Sequence, residues 1–135
     1  MTLDDSVQAL LSEKESVIEN FYERFLRKNP EAEHHFRGVD LRQQSVMLTM
    51  ALVTVENHYA HRYPATEHYL HVLGHRHHLG NIPPKLFNEF RDCLLETLAE
   101  FHTNDWDNHL ASEWKKALDA TIRTMLEGYR QAYIY

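Results

Sequence analysis

A chain of 135 residues is long enough for one hydrophobic core and too short for two. Its apolar share of 43% and charged share of 25% are both ordinary for a globular protein. A net charge of −6 with no basic block argues against nucleic acid or anionic membrane as the main partner. The lone cysteine, Cys93, permits no internal disulfide and fits a reducing compartment. No apolar run approaches the ~20 residues of a membrane span. The opening residues Met1, Thr2, Leu3, Asp4 and Asp5 also lack the basic-then-apolar layout of a signal peptide. The expectation is a soluble, cytoplasmic, single domain over residues 1–135.

With only 4 Gly and 4 Pro, and with long stretches at helical spacing, the chain reads as all-α. A short first helix is expected over 4–11, with Thr2 or Asp4 near its start. Ser12 followed by Glu15 fits a capping box, so a second helix is expected to begin there. Its stripe is Val17, Ile18, Phe21, Tyr22, Phe25 and Leu26, and Pro30 ends it. A short helical piece over 30–36 leads to a loop over 37–40. The next helix, over 41–58, places Val46, Met47, Met50, Val53 and Thr54 on one face, while Leu48, Leu52 and Val55 widen the stripe. A helix apolar over so much of its circumference is expected to be buried on more than one side. Residues 57–65 read as a loop, and Pro64 or Thr66 starts the next helix. After the double proline Pro83-Pro84 comes a helix over 85–101 with Leu86, Phe87, Phe90, Leu94, Leu95, Leu98 and Phe101 at core spacing. Cys93 lies among them as a small packed residue. The turn 102–105 is expected to cap a final helix over 106–132. Its buried face is Leu110, Trp114, Leu118, Thr121, Ile122, Met125 and Tyr129, and the tail 133–135 follows.

The stretch 69–84, Y-L-H-V-L-G-H-R-H-H-L-G-N-I-P-P, carries the clearest chemistry. Leu70, Leu73 and His77 share a helix face at spacings of three and four. Gly80 and Asn81 suit a helix exit, and the prolines forbid continuation. One imidazole thus ends a helix beside two leucines, which suits an axial metal ligand in an apolar slot. The plainer reading is a solvated or adventitiously metal-binding face, because His58, His61, His68, His71, His75 and His78 lie close by.

The pattern L-G-x-[RK]-H followed by a turn, Ile and Pro resembles the proximal-histidine segment of a globin. The earlier segment F-Y-E-R-F-L-R-K-N-P-E-A-E-H-H-F resembles the B and C helices of bacterial globins of the flavohaemoglobin and related single-domain type. The resemblance covers essentially the whole chain and implies a globin fold, a three-on-three helical sandwich, with a shortened first helix. It implies haem b as cofactor, His77 as the iron ligand, and Leu73 as acceptor for the other ring nitrogen. Phe36, Leu48, Leu73, Arg76, Ile82 and Phe87 would contact the haem, and Tyr22 would take the distal tyrosine position. The family pattern Q-S-x-x-L makes Gln44 the distal polar residue and Leu48 the apolar one; a gapless count gives Gln43 and Met47 instead. No distal histidine ligand is expected, since 41–57 contains none.

A haem protein of this kind is expected to bind O2, and also NO and CO, with two distal donors slowing O2 release. The departures matter too. Where flavohaemoglobins carry a proximal tyrosine, ten residues after the histidine, this chain has Phe87, and the fused flavin and nicotinamide domains are absent. Self-contained nitric oxide dioxygenase turnover is therefore not expected, and such activity would depend on a separate reductase. A haem-based gas-sensor domain and a haem-free regulator remain alternatives. The sequence leaves the oligomeric state open.

Overall fold

The structure is a computed structural model; it describes residues 1–131, and of residues 14–16 the backbone alone. The described residues form α1 (Leu3–Ser12), α2 (Lys14–Lys28), a 3-10 segment (Pro30–Phe36), α3 (Leu41–His61), α4 (Pro64–Leu79), α5 (Lys85–His102), a second 3-10 turn (Thr103–Asp105) and α6 (Asn108–Gly128). No strand is present among them. α1, α3 and α4 make one layer and α2, α5 and α6 the other, the globin sandwich. No described helix is long and apolar enough to cross a membrane.

Local chemistry explains most helix starts. Thr2 caps α1 reciprocally with Asp5, the Asp5 N–H donating to Thr2 Oγ1 and the Thr2 N–H to Asp5 Oδ2, each at 3.0 Å. Asp40 caps α3 by accepting from the Arg42 N–H at 2.9 Å. Pro30 and Pro64 open their helices at positions where the missing N–H costs nothing.

Four boundaries differ from the sequence expectation. Ser12 does not cap α2: it is the last residue of α1, where its hydroxyl donates to the Gln8 carbonyl at 3.2 Å, and Glu13 is the N-cap. The side chain of Glu15, the other half of the expected box, lies outside the described residues. The loop expected over 57–65 shrinks to Arg62 and Tyr63, because residues 57–61 contain no breaker and α3 runs on to His61. Arg62, in the left-handed region at φ 52°, then stops it. The cap of α6 is Asp107, which accepts from the Leu110 N–H at 2.8 Å, so the helix starts after residue 106. It ends at Gly128; residue 132 and the tail 133–135 lie outside the described residues.

The core is the junction of the stripes. Phe21, Ile18, Leu94, Leu98, Leu110 and Trp114 are fully buried. Phe21, Phe25 and Phe90 pack ring on ring, with centroids at 4.6 Å (Phe21–Phe90) and 5.6 Å (Phe25–Phe90). Cys93 is buried and its thiol is pushed up by desolvation, so it packs as a small apolar residue. On α3 the expectation needs correcting. Leu48, Leu52 and Val55 are buried, but Val46, Met47 and Met50 are 57%, 62% and 57% exposed. Both sets border one cavity, the first from the core and the second from the more exposed side of α3.

Two buried imidazoles join the layers. The Trp114 Nε1–H donates to Ser6 Oγ at 2.8 Å, and Ser6 Oγ lies 2.6 Å from His102 Nε2, tying α1 to α5 and α6. Thr124 Oγ1 donates to the Ala120 carbonyl, so its oxygen accepts from His58 Nε2–H at 3.1 Å. Burial lowers the pKa of both histidines; at His58 the neighbouring Arg62 adds to it, and at His102 Asp105 opposes it weakly. Both are therefore neutral when folded and take up a proton more readily when unfolded. Their contribution is complete above about pH 6.5 and lost as the pH falls through the folded values, with a slope of at most about 1.4 kcal/mol per pH unit for each. The urea midpoint should fall as the pH is lowered from about 6.5 towards 5, and less steeply in His102→Gln. A midpoint indifferent to pH over that range would contradict the assignment.

Candidate functional site

α4 delivers His77 by the way it ends. Gly80 closes the helix through its N–H to the Arg76 carbonyl at 3.0 Å. The left-handed residue is Asn81, at φ 61°, a conformation that asparagine tolerates. Ile82 N–H then returns to the His77 carbonyl at 3.1 Å, and Pro83 and Pro84 lead into α5. The His77 Nδ1 lies 2.8 Å from the Leu73 carbonyl. A carbonyl only accepts, so Nδ1 carries the proton and Nε2 of the neutral ring holds a lone pair. This is the tautomer that a metal ligand needs, with its orienting bond in place.

His77 stands on the wall of a cavity of about 490 Å³ enclosed by α2 to α6. The wall is mostly apolar and includes Phe36, Leu48, Leu70, Leu73, Ile82 and Phe87. Tyr22 and Gln44 line it too, and Met47 with them. Gln43 and Arg76 are exposed and do not line it. Of the two glutamine registers, the structure thus brings Gln44 to the cavity and leaves Gln43 outside.

Tyr22 is 6% exposed. Burial raises its pKa, against a smaller opposing interaction with the Gln44 side chain. Phe36 packs edge-on against the Tyr22 ring, with centroids 5.6 Å apart.

His35 and Arg91 on the wall escaped sequence reasoning, and Tyr129, expected only as a buried residue of the last helix, lies near it. His35 lines the cavity from the 3-10 segment, although α3 itself turns no histidine towards it. His58, which does fall on the longer α3, points to Thr124. Arg91 lines the cavity, with its guanidinium held at 2.9 Å by both Asp92 and Asp119. Tyr129, just past α6, donates its hydroxyl to the Ile82 carbonyl at 2.7 Å, and its ring meets Phe87 (6.0 Å) and His78 (5.0 Å). Apart from Asp92, which neighbours Arg91 on α5, the partners are distant in sequence, so no local pattern announces them. The histidine-rich face does not assemble: among the described residues no group of three or more His, Cys, Asp or Glu could hold a metal ion.

The site is thus a mostly apolar cavity in a helical sandwich, with an imidazole on its wall whose Nδ1 is tied to its own helix. The globin family model matches residues 19–125. The chain belongs to the globin family, and that family implies a haem cofactor. A Pseudomonas aeruginosa protein, PA3967, described as structurally highly homologous to a human haemoglobin, superposes with a TM-score of 0.80 at 21% identity, over 96% of this chain and 100% of that one. At that identity the likeness speaks for the fold. A comparison with curated proteins found none that matches.

The residues fit the implied group: Nε2 of His77 has its lone pair available, and the apolar wall suits a porphyrin. The turn beside His77 is held by Tyr129. Burial pushes that phenol up to about 12. Its stabilising effect is thus complete below about pH 10 and lost as the pH rises through the folded value. Tyr129→Phe should cost about 1 kcal/mol at neutral pH. It should also flatten the alkaline limb of a denaturation-against-pH profile; an unchanged limb would mean that the bond to Ile82 contributes nothing.

Proposed function

We propose that this chain is a single haem b domain that reversibly binds O2, and also NO and CO, in the cytoplasm. The observation that carries the reading is the His77 Nδ1–Leu73 bond of 2.8 Å on the wall of the apolar cavity. His77 would hold haem through Nε2, and the haem iron would supply a site for a small diatomic ligand.

This chain's residues then set the preference among ligands. Phe36, Leu48, Leu73, Ile82 and Phe87 keep water away and so slow oxidation of the metal. Arg76, in the last turn of α4, would reach a haem carboxylate from outside the cavity wall. Tyr22 is the main distal donor: its hydroxyl, on the cavity wall beside Gln44, would donate to a polarised diatomic. One such bond contributes about 1–1.5 kcal/mol. O2, which takes on partial negative charge, gains from it, whereas CO gains little. Slow O2 release suits scavenging or sensing more than transport.

Nitric oxide dioxygenation with a separate reductase is the second reading. The ring beside His77 is Phe87, at 5.7 Å between centroids, and it has no polar atom with which to push electron density through the histidine. Binding is therefore preferred over turnover.

Two substitutions test the reading. His77→Ala should abolish stable haem incorporation, read as loss of the Soret band, while His75→Ala and His78→Ala retain it. The reverse pattern would overturn the ligand assignment. Tyr22→Phe keeps the ring and removes the donor, so stopped-flow should find O2 dissociation faster by about tenfold or more and CO dissociation changed far less. Equal changes for both gases would reduce Tyr22 to packing; an unchanged O2 rate would move the donor role to Gln44.

A further inference from the structure

The helix that carries His77 lies backbone to backbone against α6. A Cβ built on Gly74 would come within 2.6 Å of the Met125 carbonyl carbon and 2.8 Å of its Cα. One built on Gly128 would come within 2.9 Å of the His71 carbonyl carbon, and nearer still to its oxygen. Real Cβ atoms stay beyond 3.0 Å, and the obstacles here are helix main chain, which cannot swing aside as a side chain does. The two contacts fall in one antiparallel register, 71 with 128 and 74 with 125.

Glycine is a poor residue for a helix interior. Gly74 sits within α4 at negative φ, so its use there answers a need for space and not for conformation. Two further bonds join the same end of α6 to α4 and to the turn that follows it. His75 Nδ1 lies 3.2 Å from the Gly128 carbonyl, and Tyr129 donates to the Ile82 carbonyl at 2.7 Å. His77 lies between them, one turn beyond Gly74. Its imidazole is bonded to Leu73 of its own helix, so it travels with α4 wherever α4 is docked.

We infer that Gly74 and Gly128 are positioning residues for His77: by letting α4 and α6 touch through their backbones, they set where Nε2 stands on the cavity wall. The inference rests on the haem reading above. It assigns the aim of the proximal ligand to a helix contact that involves no residue of the wall other than Met125.

The test uses the haem-loaded full chain, ferrous and without gas, and reads the iron–histidine stretch by resonance Raman together with the rate of haem loss. Gly128→Ala and Gly74→Ala should each shift the stretch and speed haem loss about ten- to a hundredfold, the range for losing a group that orients a metal-bound histidine. Lys116→Ala, at an exposed position of α6 outside the contact, should leave both unmoved. A second arm uses His77→Gly filled with free imidazole, a ligand detached from α4; adding Gly128→Ala there should leave the iron–imidazole stretch where it was. If an alanine variant does not fold, Tyr129→Phe, which removes one hydroxyl at the same junction, takes its place with the same expected shift. A wild type with no iron–histidine band would overturn the haem reading itself, before any variant is compared. An unmoved stretch in the folded variants, or an equal shift with free imidazole, would overturn the positioning role alone.

Discussion

Everything in the pocket follows from one hydrogen bond inside α4, from His77 Nδ1 to the Leu73 carbonyl at 2.8 Å. It decides which ring nitrogen keeps the proton and hence which one offers a lone pair to the cavity. The acceptor is a helix carbonyl, so the bond exists only while α4 remains helical through its last turn. The carbonyl end of a helix also favours an N–H donor electrostatically. Helix exit, tautomer and ligand competence are therefore one constraint, and the run from Gly80 through Asn81 to Pro84 serves it by stopping the helix just after His77.

A cavity of about 490 Å³ next to a packed core needs walls that do not collapse inward. Here the walls are backed by aromatic rings and by α3, which borders the cavity with buried Leu48, Leu52 and Val55 and, on its more exposed side, with Met47 and Met50. Methionines on that side conform easily to an irregular or ring-shaped partner. Tyr22 and Gln44 add polar groups to a mostly apolar wall that also carries His35 and Arg91.

The polar interactions divide by burial. Lys28 meets Glu96 at 2.7 Å and Arg24 pairs with Glu100, but the carboxylates are more than half exposed, so these pairs contribute little. Arg24 also donates to Thr97 at 2.7 Å, which locks α2 to α5. The Ser6–His102–Trp114 and His58–Thr124 bonds matter more, since leaving such groups unpaired in the interior would cost about 1–3 kcal/mol each. They hold α1 and α3 to the floor of the fold and confine its strength to pH values where histidine is neutral.

The sequence by itself determined the elements and the chemistry carried by local spacing. Helical period marked α2, α5 and α6. Proline marked the start of α4, and the spacing of Leu70, Leu73 and His77 singled out one histidine among the 11 in the chain. It also held Tyr22, Phe36 and the glutamine pair as an ordered set. It misjudged Ser12, the end of α3 and the start of α6: α2 starts at Glu13 with no side-chain cap, α3 runs on to the left-handed Arg62, and Asp107 caps α6. Only the tertiary structure decided between Gln43 and Gln44, since adjacent residues on a helix point about 100° apart and only docking says which one faces inward. It alone set the apolar α3 against a cavity, buried His58 against Thr124, and brought Tyr129 across 47 residues to Ile82. These are contacts between distant parts of the chain, and a one-dimensional pattern carries the period of a helix but not the partner against which that helix is pressed.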